Sequence, residues 1–173
     1  MRKFIFILTF ISVCWSAFGQ EGMETHYIKE NMVVGDIHMI KGMPCVGYHG
    51  NVEFLLNYKY LGKEDAKYIL LEIVCEKQRP WWCVEGGNMA LVKLLGGSSQ
   101  SMTITNVNAE MTIDKISFAL ARDKDFKEQA LGITEVIFRT SHGSPELIKI
   151  LIDEENQKRL HKQYLYILAA AHL

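Results

Sequence analysis

Two tryptophans stand side by side in Arg79-Pro80-Trp81-Trp82-Cys83, and no other stretch of the chain is as well suited to contact a partner. Neighbouring residues of an extended segment point to opposite faces, so one indole enters a core while the other turns outward. An outward indole is a flat apolar platform that stacks on a sugar ring, a peptide or a protein surface. Trp81 and Trp82 are therefore the candidate ligand-binding residues; the alternative is that both cover a sheet edge as plain packing. Cys75 and Cys83 flank the same loop at a separation that suits a local disulfide, which leaves Cys45 as the odd thiol. The alternative is three reduced, packed cysteines acting as small apolar residues.

Other chemistry-bearing residues form no recognisable set. His38, Cys45 and His49 are ligand types that zinc prefers, but their spacing matches no common site and no fourth ligand lies nearby. No metal and no cofactor is expected. His142 beside Ser141 and Ser144 is explained by a Gly-Ser-Pro turn, and adjacency in a loop does not supply the contact a nucleophile and base need. The chain holds no Gly-x-Ser-x-Gly elbow, P-loop, dinucleotide glycine fingerprint or His-Glu-x-x-His. No catalytic residue is assigned.

The elements that must carry these residues repeat with a period of two. Val52, Phe54, Leu56, Tyr58 and Tyr60 alternate with more polar neighbours, and Leu61 to Asp65 reads as the turn into a returning strand, Tyr68 to Cys75, with Ile69, Leu71 and Ile73 on one face. Met89 to Leu95, Ser101 to Asn106, the Ile116-Phe118-Leu120 segment, Ile133 to Thr140 and Leu147 to Ile152 repeat the pattern between turn-forming glycines and serines. Gln20 to Asn31 reads as an extended lead-in, and Asp123 to Ala130 as one or two helical turns. Only the last segment has a helical period. Asp153 is its N-cap, Glu154 and Glu155 suit the first turn, and Leu160, Tyr164, Ile167, Leu168 and Ala171 form one stripe of a helix over 154–171. The expected fold is mainly β: an antiparallel sandwich or rolled sheet of seven to eight strands with a C-terminal helix, with an α+β sheet as the alternative.

The start of the chain reads as an export signal over residues 1–19. Arg2 and Lys3 precede an apolar run from Phe4 to Trp15, and Ala17-Phe18-Gly19 offers small residues where a signal peptidase cuts, before Gln20. A lipoprotein reading of Ile11-Ser12-Val13-Cys14 is opposed by the branched Val13. One domain, residues 20–173, remains, with no later run long enough to span a bilayer as a helix. The signal holds two of the 19 cations and none of the 20 anions, so the mature domain is mildly acidic. Without a basic block it offers nucleic acid no landing site. With its short signal, its strand-rich domain and Gly132-Ile133-Thr134-Glu135 leading a late strand, the chain resembles the small exported proteins of unknown function common in Bacteroidota. The resemblance implies a periplasmic, cell-surface or extracellular location and nothing about activity.

These readings converge on an exported, non-catalytic binding module for a protein or glycan partner. The rival expectations are a hydrolase of envelope or host polymers and a structural subunit that assembles through a strand edge.

Overall fold

The alternation of apolar and polar residues builds a closed wall. The computed structural model describes residues 26–64, 66–76, 83–105, 107, 116–121, 132–141 and 145–171. Within them lie β1 (Ile28–Val34), β2 (Ile37–Gly42), β3 (Cys45–His49), β4 (Val52–Lys63), β5 (Ala66–Cys75), β6 (Met89–Leu94), β7 (Ser99–Thr105), β8 (Ile116–Ala121), β9 (Ile133–Arg139), β10 (Leu147–Ile152) and the helix α1 (Glu154–Ala170). Every pairing among them is antiparallel. Around the barrel the order is β4, β5, β8, β7, β6, β9, β10 and β3, and β3 returns to β4. The meander of β6, β7 and β8 is thus inserted in reverse between β5 and β9. Cys75 and Met89 lie toward one end of the barrel, and Ala121 and Ile133 toward the other.

An eight-stranded barrel is just wide enough for side chains to fill, and here they do. Phe118 and Phe138 meet edge to face at 4.9 Å between centroids, and Phe54 meets Phe138 at 6.4 Å. Leu56, Leu71, Ile73, Val92, Ile104, Leu120, Val136, Ile148 and Ile150 complete an interior that solvent does not reach. Charged residues such as Glu53, Lys59, Glu72, Lys93 and Lys149 stand on the outside of the same wall, the reverse of a membrane-spanning barrel. No helix among the described residues is long and apolar enough to cross a membrane.

Several expectations are corrected. Closure replaces the sandwich, because β5 pairs with β8 and β10 with β3; alternation fixes which side chains point inward but not which edges meet. Ile28 to His49 carries three strands that the sequence reading passed over. The reason is local: β1 is exposed on both faces from Asn31 onward, so it has no apolar period. Leu61 to Lys63 continues β4 rather than starting the turn. Residues 1–25 and 123–130, with the signal and the short helix read there, lie outside the described residues.

The neighbour of β4 is broken. β2 pairs with its second half and β3 with its first half, and Met43-Pro44 interrupts the run between them. Pro44 has no N–H to give a ladder. Tyr58 of β4 therefore meets no strand partner at the break, and its N–H donates instead to Gln163 Oε1 of α1 at 3.2 Å. The Gln163 Nε2 group donates to the Met43 carbonyl at 2.6 Å and to Cys45 Sγ at 3.3 Å. Gly42 leaves the room for this carboxamide, since a Cβ there would collide with it.

The seam between β3 and β10 is short as well, with only two rungs, Leu151 opposite Tyr48 and Ile152 opposite Gly47. Helix α1 again makes up the shortfall. Asp153 caps it through Oδ1, which accepts from the Asn156 N–H at 2.8 Å, and Asp153 Oδ2 accepts from Asn156 Nδ2 at 2.9 Å. Held this way, Asn156 Oδ1 accepts the Val46 N–H at 3.1 Å. The Gln157 side chain donates to the carbonyl of Ile152, the last residue of β10, at 2.6 Å. Leu160, Tyr164, Ile167 and Ala171 bury the apolar stripe, while Leu168 is half-buried at its margin.

Replacing Gln163 with Leu should strand two main-chain groups, the buried Tyr58 N–H and the part-buried Met43 carbonyl. At about 1–3 kcal/mol for each, the unfolding free energy should fall by about 2–6 kcal/mol. Lys158→Ala on the exposed face should change it by less than about 0.5 kcal/mol. Denaturant titration of the two variants checks this, and equal midpoints would contradict it.

Candidate interaction surface

The hairpin of β4 and β5 is longer than the barrel wall. Its outer half continues past the barrel end and pairs with β2, and β2 pairs with β1, so that a four-stranded ledge β1-β2-β4-β5 overhangs α1. Its inner face buries Ile28, Ile40, Tyr60 and Ile69 in the core that also holds the helix stripe. Tyr58 and Tyr164 pack with ring centroids 5.3 Å apart beneath it.

The outer face of the ledge is patterned by register. Met32, Met39, Leu61 and Tyr68 stand opposite one another in a single rung across all four strands. The next rung toward the barrel places Glu30, Lys41 and Lys59 side by side. There Glu72 accepts from Lys41 at 2.9 Å and from Lys59 at 3.2 Å, and Asn57 Nδ2 donates to it at 3.1 Å. Burial alone would raise the Glu72 carboxyl, but the hydrogen bonds from Lys41 and Asn57 and the charges of Lys41 and Lys59 outweigh it and hold the group below the usual carboxylate range. This cluster ties β2, β4 and β5 together as a structural clasp.

The ledge ends in β1. Among the described strands, no strand lies on its far side. Its hairpin with β2 turns through Gly35 and Asp36, where Gly35 takes φ +63°, the positive value that the first position of a primed turn requires. Asp36 is held by Lys63 at 2.7 Å. Val34 faces Ile37 across this two-residue turn, so that pair exchanges both main-chain bonds, and by alternation the main-chain N–H and C=O of Val33 turn away from β2. Met32, Val33, Val34 and Ile37 are 41%, 69%, 62% and 41% exposed.

The residues singled out from sequence are scattered. Trp81 and Trp82 lie outside the described residues. The expected bridge between Cys75 and Cys83 is not formed. Cys75 faces the barrel interior beside Ile73, whereas Cys83 is half-buried in the loop that follows, its carbonyl accepting from the Ser141 N–H at 2.8 Å. His38, Cys45 and His49 do not converge. His38 contacts Asn31 Oδ1 at 3.0 Å and the edge of the Tyr60 ring, while His49 Nδ1 lies 3.1 Å from the main-chain N and O of Lys149. Cys45 is buried against Gln163, and desolvation pushes its thiol up to about 11 despite the opposing influence of Arg159 and Gln163. Among the described residues no group of three or more His, Cys, Asp or Glu could hold a metal. His142 and Ser144 lie outside the described residues, and Ser141 Oγ accepts from Asn88 Nδ2 at 3.2 Å.

Hollows among the described residues dent the outside of the barrel. One of about 430 Å³ is lined by Asn51, Val52, Glu53, Leu55 and Glu76, and one of about 190 Å³ by Leu95, Gly132, Glu154, Gln157, Lys158 and His161. Comparison with family models, curated proteins and solved structures finds no match for the chain.

The lowered Glu72 titration has a testable sign. A depressed carboxyl contributes stability above its unfolded value near 4.5 and loses it as pH falls through the folded value. Wild type should therefore exceed Glu72→Gln in stability at neutral pH, with the gap closing below about pH 4.5. Thermal unfolding of both proteins across pH 3 to 7 measures it; a gap constant with pH would contradict the clasp.

Proposed function

We propose that this chain is an exported interaction module that engages a protein partner through the edge of β1, rather than an enzyme or a carrier of small ligands. The observation that carries the proposal is the open edge itself. The barrel pairs all eight of its strands, yet a seven-residue strand is left at the margin of the ledge with Met32, Val33 and Val34 in water. Proteins commonly blunt such edges with charge, proline or a covering segment. From Asn31 to Val34 this one carries no charge and no proline.

A protein partner fits better than a glycan. An added strand exchanges main-chain bonds with the edge and seats alternate side chains against the rung of Met32, Met39, Leu61 and Tyr68. A sugar would need a platform such as the Trp81-Trp82 pair. The filled barrel interior also favours contact from outside, because a carrier needs a lumen. Export, read from residues 1–19, would place this edge in the periplasm, at the cell surface or beyond the cell.

A charge on the edge should abolish binding without harming the fold. Val33→Lys adds a cation where the side chain is already exposed. With the mature domain as bait for envelope extract, we expect partners retained by wild type to be lost from Val33→Lys. Equal retention by both would overturn the edge as the contact.

A further inference from the structure

We infer that the β1 edge takes a second copy of this chain, paired antiparallel about a two-fold axis at Val33. The inference rests on the reading of β1 as the contact edge and adds the identity of its occupant. A two-fold contact requires a patch complementary to itself, and the run Met32-Val33-Val34 meets that requirement in one register. The main-chain N–H and C=O of Val33 face away from β2, so two copies meeting there exchange a pair of hydrogen bonds between Val33 and Val33 of the second copy. In the flanking positions Met32 falls opposite Val34 of the other copy, and Val34 opposite its Met32.

The registers then extend across both molecules. Tyr68, Leu61, Met39 and Met32 of one copy continue into Val34 and Ile37 of the other, and symmetry repeats the rung. From Tyr68 of one copy to Ile37 of the other, each rung is apolar. The pairing stops where Gly35 and Asp36 turn the chain away, and Asp36 remains held by Lys63 of its own copy. Two ledges become one eight-stranded sheet, in which Met32, Val33, Val34 and Ile37 lose much of the exposure they have in the single chain.

The register prescribes its own test. Residues 32 and 34 of opposite copies form non-hydrogen-bonded pairs about 4.5 Å apart at Cα, within disulfide range. An equal mixture of Met32→Cys and Val34→Cys proteins should therefore form a disulfide-linked dimer under mild oxidation, in clear excess over either variant alone and over wild type. Sedimentation should show a doubled mass for wild type at rising concentration and a single-chain mass for Val33→Lys throughout. A wild-type chain that stays single, with no excess cross-link in the mixture, would overturn the self-pairing. If envelope partners are still lost from Val33→Lys in that case, only the occupant is wrong and it is a foreign strand. If retention is unaffected as well, the edge reading falls with it.

Discussion

The main chain of β4 needs a partner at Tyr58, where Met43-Pro44 interrupts the neighbouring strand, and a buried glutamine on a helix supplies it. Gln163 is an acceptor toward Tyr58 and a donor toward Met43 and Cys45. A buried amide with both ends satisfied adds stability, whereas one with either end unmet costs more than an apolar residue would. Asn156 does the same for Val46 at the two-rung seam. Side chains of α1 complete the barrel where strand pairing falls short, and the helix is in turn fixed by the strands it completes.

That arrangement explains the ledge. Because the Met43-Pro44 break separates β2 from β3, β2 leaves the barrel wall and follows the outer half of β4 past its end. The overhang then covers α1 with Ile28, Ile40, Tyr60 and Ile69, and the Glu72 clasp braces its opposite face. The cost of the design is a strand that nothing in the described chain pairs on its far side. The break that needs Gln163 also leaves the open edge at β1.

Much of this was legible in the sequence, and the limits have physical causes. The alternation over Val52–Tyr60 named the inward residues of β4 correctly, and Asp153 was readable as a cap because acceptor, acidic first turn and apolar stripe coincide. Gln163 was not read as part of that stripe, although it lies between Leu160 and Tyr164, where a lone amide is the one signal of a buried polar contact. What it bonds to could not be read, since Met43 and Tyr58 lie more than a hundred residues away. Closure was illegible for the same reason, being decided by which edges meet. The β1 edge was missed because a strand exposed on both faces has no period, and that exposure is the property now given a function.

Amide hydrogen exchange on the intact chain tests the mutual dependence of helix and barrel most directly. If Gln163 and Asn156 complete the ladder, the Tyr58 and Val46 amides open only when the barrel does. They should then exchange as slowly as Leu56 and Ile150, through global unfolding. Exchange at those two amides much faster than at Leu56 and Ile150 would mean that the helix lifts off an independently closed barrel, and would contradict the account.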